Sequence, residues 1–142
     1  MTTIRKIVLE LMFAGLTLPG LASASISLYD RLGGLENIRK IVGQTIDRTS
    51  NDPRAKSVFE GIKLDPVKES VTTHLCEITG GPCKYEGASM KKTHSGMHIS
   101  SEQFDLMDAY LGEALVDHGV KDADKIYLGK ILHPFKPEIV GK

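Results

Sequence analysis

Apolar side chains recur at intervals of three and four residues in several stretches of the chain, which is the spacing of one face of an α-helix. The first stretch begins at Leu35 and continues through Ile46. Asn51-Asp52-Pro53 follows it, and these turn-forming residues predict the end of the helix. No stretch alternates β-branched and polar residues, so the pattern predicts helices and does not predict strands.

A second helix is predicted over residues 65–79. Asp65 is a good capping residue, and Pro66 suits the first helical position. Gly80-Gly81-Pro82 is expected to end this helix. Before it, a short segment carries Phe59 between the first two helices.

Two further long helices are predicted in the C-terminal half. Ser100 and Gln103 have the spacing of a capping box at the start of a helix that continues to Gly119. Asp122 is predicted to cap the last helix, whose end two prolines are expected to fray. Residues 88–95 have room for a short helix of about two turns. The fold class is therefore all-α, with two antiparallel helix pairs packed crosswise.

Composition limits the class of protein further. The chain has 142 residues, which is enough for one domain, and 18 basic residues balance 18 acidic ones. A formal net charge of +0 gives no basic surplus for binding nucleic acid, so no nucleic-acid partner is expected. Aromatic residues make up 6% and tryptophan is absent, so the core must consist mainly of aliphatic side chains.

The N-terminal residues resemble an export signal. Two basic residues precede a mostly apolar stretch, Ile7–Leu21, and Ala22-Ser23-Ala24 has the small-x-small pattern of a cleavage site. We expect residues 1–24 to be a signal peptide and residues 25–142 to form an exported, periplasmic domain without a membrane span. The alternatives are an uncleaved membrane anchor and an amphipathic N-terminal helix.

The two cysteines admit three interpretations. Cys76 and Cys83 are separated by seven positions, and in an exported protein such a pair favours a disulfide over two free thiols. A third interpretation adds His74 and His94 and makes a zinc site, since all four are zinc ligands. The spacing of these four residues matches no compact zinc pattern, so the disulfide is preferred.

His94 is the main candidate for a functional side chain. It ends the short predicted helix, and that helix follows a loop that contains several glycines. Imidazole is a good ligand for iron, and a histidine is a common axial ligand of haem. Five short motifs follow one another along the chain: Tyr29-Asp30-Arg31-Leu32-Gly33-Gly34, Phe59-Glu60-Gly61, Gly80-Gly81 with Tyr85 and Gly87, Met90-Lys91-Lys92-Thr93-His94, and Gly119-Val120. With these motifs in this order, residues 28–132 resemble the group I truncated haemoglobins.

The resemblance implies a two-over-two helical sandwich around one haem b per chain. It implies that His94 binds the iron and that the other ring nitrogen of His94 donates to a carbonyl. It also implies that Phe59 stacks on the porphyrin. The remaining haem contacts implied are Ile46, Val67, Val71, Tyr85, Met90, Phe104 and Met107.

The distal side, opposite His94, departs from the family pattern. Many members hold dioxygen with a tyrosine and a glutamine or histidine, and the matching positions here are Ile46, Val67 and Val71. This apolar wall predicts a weaker preference for dioxygen, whose bound form carries partial negative charge. Three polar candidates remain on that side: Thr45, Ser70 and His74.

Two functions follow from this site. The first is reversible binding of a diatomic gas, namely dioxygen, nitric oxide or carbon monoxide, by a monomeric haem protein. The second is an enzyme that detoxifies nitric oxide or peroxide at the same iron. Enzymatic oxygen chemistry usually needs polar groups that stabilise charge on the bound oxygen, so the apolar wall favours binding.

Overall fold

The computed structural model describes residues 24–142, and these residues form helices and turns without a strand. The predicted signal peptide lies outside the described residues except for Ala24. The helices are α1 (Leu28–Arg31), α2 (Gly34–Asn51), α3 (Leu64–Ile78), α4 (Met90–Thr93), α5 (Ser101–Asp117), α6 (Asp122–Leu132) and α7 (Lys136–Ile139), with 3-10 turns at Lys56–Phe59 and His133–Phe135. Among the helices described, none has the length and hydropathy needed to cross a membrane.

Helix α2 lies at the centre of the fold and packs against both α3 and α5. It begins after Gly33, whose φ of +90° is in the left-handed region that favours glycine. It ends at Asn51, as the turn-forming residues predict. The buried face of α2 is the apolar stripe read from the sequence, with Ile38, Ile41 and Ile46 almost fully inaccessible.

The core forms where the apolar faces of the other helices meet this stripe. Burying each large aliphatic side chain contributes about 1.5–3 kcal/mol. Because these side chains come from five helices and from the connections after α1 and α5, the core fixes the positions of α3 and α5 on either side of α2. The buried members are Leu28, Leu32, Ile38, Ile41, Val42, Ile46, Leu75, Ala114, Leu115, Val120 and Leu128.

One of the three predicted helix caps is confirmed; the cap at Asp65 is wrong by two residues and the cap at Asp122 by one. At α5, Ser100 Oγ accepts from the Gln103 main-chain N–H at 3.1 Å, and Gln103 Oε1 accepts from the Ser100 N–H at 3.0 Å. Helix α3 begins at Leu64 and α6 at Asp122, after lysines that make no side-chain cap bond. Asp65 and Asp122 therefore lie in the first turn, where a carboxylate is also stabilised by the helix dipole.

Two other predictions about helix ends are also wrong. The short helix has one turn, Met90–Thr93, in place of the two expected over residues 88–95. The C-terminal prolines do not fray the chain, because Pro134 and Pro137 lie in the first turns of a 3-10 turn and of α7. Proline is tolerated there because a first-turn N–H has no partner within the helix.

Two glycine substitutions are expected to change stability in opposite directions. A Cβ on Gly81 would lie 2.7 Å from Cys76 Sγ and 2.8 Å from the Cys76 carbonyl oxygen, so Gly81→Ala should destabilise the fold by about 1–3 kcal/mol. A Cβ on Gly43, inside α2, meets no atom within 4 Å. Gly43→Ala should therefore stabilise the fold by about 0.5–1 kcal/mol. Urea unfolding of both variants measures this, and two shifts of the same sign would contradict it.

Candidate functional site

His94 lies at the C-terminal end of α4 and is half-buried. Its Nδ1 is 2.8 Å from the carbonyl oxygen of Met90. Because a carbonyl only accepts hydrogen bonds, Nδ1 carries the proton and Nε2 keeps its lone pair. This is the tautomer that a metal-binding histidine needs, with the second nitrogen oriented by a carbonyl, as the sequence analysis expected.

The residues before α4 hold the helix in place. Ser89 Oγ caps the helix by accepting from the Lys92 main-chain N–H at 3.3 Å. The carbonyl of Ala88 accepts from Tyr85 Oη at 3.0 Å and from Thr93 Oγ1 at 3.3 Å. The Ala88 carbonyl therefore joins Tyr85, in the loop before α4, to Thr93, the last residue of that helix.

The residues after His94 are held by the C-terminal segment. The His98 N–H donates to the Lys142 carbonyl at 2.7 Å, and the Gly141 N–H donates to the Ile99 carbonyl at 2.9 Å. Helix α7 also packs against α4. His98 is exposed and has a φ of +50°, as is typical of a tight turn. The C-terminal residues therefore hydrogen-bond to the loop that follows His94 and hold it in position.

The predicted disulfide is present. Cys76 and Cys83 are bonded with their Cα atoms 5.7 Å apart, which joins the last turn of α3 to the loop before α4. Within the described part of the chain, no main-chain N–H of residues 82–88 donates to a main-chain carbonyl. The disulfide is thus the main covalent restraint on this loop. Because both sulfurs are bonded, the free-thiol and zinc interpretations are wrong.

The side of α3 that faces away from solvent is largely apolar. Val67 and Val71 are half-buried and pack against the core, and Ile46 on α2 is fully buried. The hydroxyl of Thr45 donates to the Ile41 carbonyl at 2.8 Å. Ser70 is exposed to solvent. Three polar residues were candidates for the side of the haem opposite His94. Of these, Thr45 on α2 is already hydrogen-bonded to the main chain, and Ser70 on α3 lies at the surface.

His74 is the third polar candidate and has an unusual environment. Its ring centroid lies 4.8 Å from that of Tyr85 and 5.6 Å from that of Phe135. Neither ring nitrogen is accessible to solvent, and neither has a hydrogen-bond partner among the described residues. Burial lowers the pKa of His74, and the nearby carboxylate of Glu77 offsets part of that effect. The imidazole is therefore neutral near pH 7.

All but one of the residues expected to contact a bound group are half-buried, with apolar surface that the protein covers only in part. The exception is Ile46, which is fully buried and has no surface left for such a contact. Phe59, Val67, Val71 and Met107 also pack directly against the core. The Lys136 ammonium lies 5.2 Å from the centre of the Phe104 ring. The half-buried set is Phe59, Val67, Val71, Tyr85, Met90, Phe104 and Met107.

These residues fit a haem. A haem is a broad apolar body with a metal at its centre, and it needs apolar walls and one nitrogen ligand. The half-buried residues supply the walls, and the tautomer of His94 leaves Nε2 free to bind iron. His94 would hold the metal, while Phe59 and Met107 would contact the macrocycle.

Sequence reasoning missed one contributor to the site. Phe135 contacts His74 from the C-terminal region, which was expected to be frayed. An aromatic residue between two prolines was the available signal, since a large apolar side chain in a solvated tail is unfavourable.

A polar cluster fixes the turn that leads to Phe59. Asp52 accepts from Tyr110 Oη at 2.7 Å and from Arg54 at 2.7 Å, and the Arg54 carbonyl accepts from Gln103 at 3.3 Å. Arg54 and then Tyr110 hold the pKa of Asp52 well below its usual range. The bond to Asp52 and burial raise the pKa of Tyr110. The cluster attaches the end of α2 to α5.

This cluster predicts a loss of stability in acid. The pKa of Asp52 is lower in the folded protein than in the unfolded chain, where an Asp has a pKa of about 3.9. The ionised carboxylate therefore stabilises the fold at pH values above about 3.9. This stabilisation is lost as the pH falls through the lower pKa of the folded state. Tyr110→Phe should lower the melting temperature at about pH 6 and reduce its fall between about pH 5 and pH 2. Thermal unfolding across this range measures the effect. Asp122→Asn, at an exposed carboxylate bonded to Lys125, is the control. Equal acid profiles for Tyr110→Phe and the natural protein would contradict the prediction.

Comparison with known proteins gives an independent view of this chain. Residues 27–140 match the family model described as "Bacterial-like globin". The chain is 32% identical over 98 residues to the group 1 truncated haemoglobin GlbN of Nostoc sp. (strain MUN 8820), which covers 69% of this chain and 83% of that protein. It is 31% identical over 113 residues to the GlbN of Mycolicibacterium paratuberculosis, covering 80% and 83%.

Solved structures share the fold. The truncated haemoglobin of Tetrahymena pyriformis in its Fe(III) form superposes with a TM-score of 0.78 at 27% sequence identity, over 82% of this chain and all of that one. The 2/2 haemoglobin of Synechococcus sp. PCC 7002 superposes with a TM-score of 0.74 at 19% identity, over 81% and 98%. The predicted all-α, two-over-two helical sandwich is therefore confirmed.

Proposed function

The chain belongs to the bacterial-like globin family and within it to the group 1 truncated haemoglobins, and on that premise we propose that it binds one haem b per chain through His94 and holds a diatomic gas opposite that residue. Family membership makes it a haem-binding globin. The axial residue, the haem type, the gas and the cellular location belong to the proposal.

The observation that carries the proposal is the hydrogen bond from His94 Nδ1 to the Met90 carbonyl. It fixes the ring orientation, and in the neutral imidazole it leaves the lone pair on Nε2, the atom that would bind iron. When bound, the haem iron supplies a coordination position for a gas molecule. The chain's part is to hold the iron from one side and to shape the space on the other.

The apolar walls determine which gas is favoured. Ile46, Val67 and Val71 offer no hydrogen-bond donor, and the Thr45 hydroxyl is occupied by the Ile41 carbonyl. Bound dioxygen is stabilised by donors because it carries partial negative charge, whereas carbon monoxide depends on them less. The site therefore favours reversible binding, with a lower ratio of dioxygen to carbon monoxide affinity than a polar pocket gives.

Enzymatic removal of nitric oxide or peroxide is the second candidate. His74 is the observation that favours it, since a buried neutral imidazole is a group that can move a proton near a reacting ligand. The rest of the wall supplies no further donor, so binding remains the preferred function.

The lifetime of the dioxygen complex and the rate at which nitric oxide is consumed separate the two functions. The ferrous protein is mixed with dioxygen, carbon monoxide and nitric oxide in turn, and absorption spectra are recorded with and without a reductant. We expect a stable carbon monoxide complex, reversible dioxygen binding and slow consumption of nitric oxide. Sustained turnover of nitric oxide or peroxide would support the enzyme instead.

Export to the periplasm after removal of residues 1–24 is also part of the proposal. The small-x-small sequence Ala22-Ser23-Ala24 supports cleavage, and disulfides such as Cys76–Cys83 persist in oxidising compartments. Mass spectrometry of the protein from a periplasmic fraction is expected to find Ser25 as the first residue. An intact N-terminus in a membrane fraction would indicate an uncleaved anchor.

A further inference from the structure

His74 contacts two chain segments that hold the helix next to His94. Its ring centroid lies 4.8 Å from that of Tyr85, in the loop before α4, and 5.6 Å from that of Phe135, in the C-terminal segment. Because His74 lies on α3, this one ring connects three separate elements of the fold. A change in the state of the ring therefore acts on both segments together.

The loop segment is joined to α4 by hydrogen bonds. Tyr85 Oη donates to the Ala88 carbonyl at 3.0 Å, and the same carbonyl accepts from Thr93 Oγ1 at 3.3 Å. Thr93 is the last residue of α4 and directly precedes His94. Tyr85 therefore connects the ring of His74 to the end of α4.

The C-terminal segment, residues 133–142, is joined to α4 and to the loop that follows it. Phe135 directly precedes α7, and α7 packs against α4. Beyond α7, the Gly141 N–H donates to the Ile99 carbonyl at 2.9 Å. Loss of the contact between His74 and Phe135 would therefore loosen the residues that hold α4 from its C-terminal side.

The ring nitrogens of His74 are enclosed without a hydrogen-bond partner. Neither nitrogen is accessible to solvent, and neither is bonded to another residue in the described part of the chain. A neutral imidazole in this position leaves one donor and one lone pair unpaired, at a cost of about 1–3 kcal/mol for each group. A protonated imidazole would leave a charge and two donors unpaired, which costs more. The packed arrangement therefore accommodates the neutral ring and not the charged one.

The ionisable groups on α3 and on the loop do not compensate a charge on the ring. Burial lowers the pKa of His74, and the exposed carboxylate of Glu77 on the same helix offsets only part of this effect. In the loop, the phenol of Tyr85 already donates to a carbonyl. Its charged neighbours, Lys84 and Glu86, are exposed to solvent.

The charged side chains of the C-terminal segment also have other partners or face solvent. His133 Nε2 lies 3.4 Å from Asp108 Oδ2. The Lys136 ammonium donates to Asp105, and Glu138 is exposed. None of these bonds involves His74, so a proton on the ring would find no carboxylate in hydrogen-bond contact.

Acid favours an arrangement in which the ring is open to water. The pKa of His74 is lower in the packed arrangement than in an open one, where a histidine has a pKa of about 6.5. The packed arrangement therefore has its full stability above about pH 6.5 and loses it as the pH falls below that value, because the open arrangement takes up a proton. The loss ends once the pH has passed the lower pKa of the packed ring.

We propose that His74 is an acid-sensitive switch of haem retention: when its ring takes up a proton, it separates from Tyr85 and Phe135, the two segments loosen around α4, and the protein releases haem faster. The step is the addition of one proton to the ring nitrogen that carries the lone pair, and no other reactant is needed. This inference rests on the proposed function, because the haem must first be bound through His94.

The test compares the rate of haem loss at about pH 7.5 and at about pH 5.5 for the natural protein and for His74→Phe. Phenylalanine keeps a ring between Tyr85 and Phe135 but cannot take up a proton. Uptake of one proton, about one pH unit below the ordinary histidine pKa, should raise the ratio of the two rates in the natural protein about three- to tenfold above the ratio in the variant. Transfer of haem to an excess of an acceptor protein measures these rates.

Amide exchange in the haem-free protein gives a readout that needs no haem. The N–H groups of His98 and Gly141 bond the C-terminal segment to the loop after α4. Their protection factors, which correct for the intrinsic effect of pH on exchange, should fall about three- to tenfold between the same two pH values in the natural chain. They should not fall in His74→Phe.

Two further variants complete the experiment. His74→Leu repeats both measurements with a smaller side chain that does not titrate, and it should behave like His74→Phe. His133→Phe removes an exposed histidine from the C-terminal segment and is the matched control. It should keep the pH dependence of the natural protein.

The same pH dependence in the natural protein and in both His74 variants would overturn the inference, because another group would then control the response to acid. That result leaves the proposed function intact. A natural chain that takes up no haem would instead overturn the proposed function, while the protection factors would still report on the ring. The two failures are therefore distinguishable.

Discussion

Replacing His94 with glycine is expected to abolish tight haem binding, and added imidazole is expected to restore the bound spectrum. The side chain supplies the nitrogen ligand, and its removal leaves a space next to the iron that free imidazole can fill. Loss of a residue that only orients a metal ligand typically costs 10–100-fold in affinity, so loss of the ligand itself should cost at least about 100-fold. Absorption titrations with haem, with and without imidazole, measure the effect.

His98→Gly is the matched control for this experiment. His98 is exposed and has a φ of +50°, which glycine adopts without strain. Its haem affinity should equal that of the natural protein. A His94→Gly variant with the natural spectrum and affinity would show that another residue binds the iron.

Removing the disulfide is expected to have the second largest effect. The double change Cys76→Ser with Cys83→Ser should destabilise the haem-free protein by about 2.5 kcal/mol, the chain-entropy contribution of so short a loop. It should also speed haem loss, because residues 82–88 make no main-chain hydrogen bond through their N–H groups within the described chain. Without the disulfide, Tyr85 would still connect this loop to α3 through its ring contact with His74.

Two measurements test the role of the disulfide. Urea unfolding gives the stability change, and transfer of haem to an excess of an acceptor protein gives the rate of loss. The natural protein treated with a thiol reductant should behave like the double variant, whereas the double variant should not respond to reductant. Equal rates of haem loss for the oxidised and reduced proteins would contradict the role given to Cys76 and Cys83.

The fold was predictable because it depends on local patterns that repeat over many residues. The stripe of Ile38, Ile41 and Ile46 has helical spacing and is the buried face of α2. The capping box at Ser100 has two reciprocal bonds, so its position is specific. The caps predicted at Asp65 and Asp122 lie two residues and one residue after the true caps, because an acidic residue is stabilised both at the cap and in the first turn.

The site was predictable to the extent that it follows sequence order. The position of His94 at the end of a short helix and the bond between Cys76 and Cys83 both involve residues close together in the chain. The unpaired nitrogens of His74 were not predictable, because they depend on which distant groups surround the ring. The contact with Phe135 joins residues 61 positions apart and arises only from tertiary packing.

The most direct test of the account is the location of iron in crystals of the haem-saturated protein, measured by anomalous scattering at the iron absorption edge. The account predicts one iron peak per chain, between α3 and α4, within bonding distance of Nε2 of His94. A peak bonded to His98, His118 or His133, with His94 facing solvent, would contradict it.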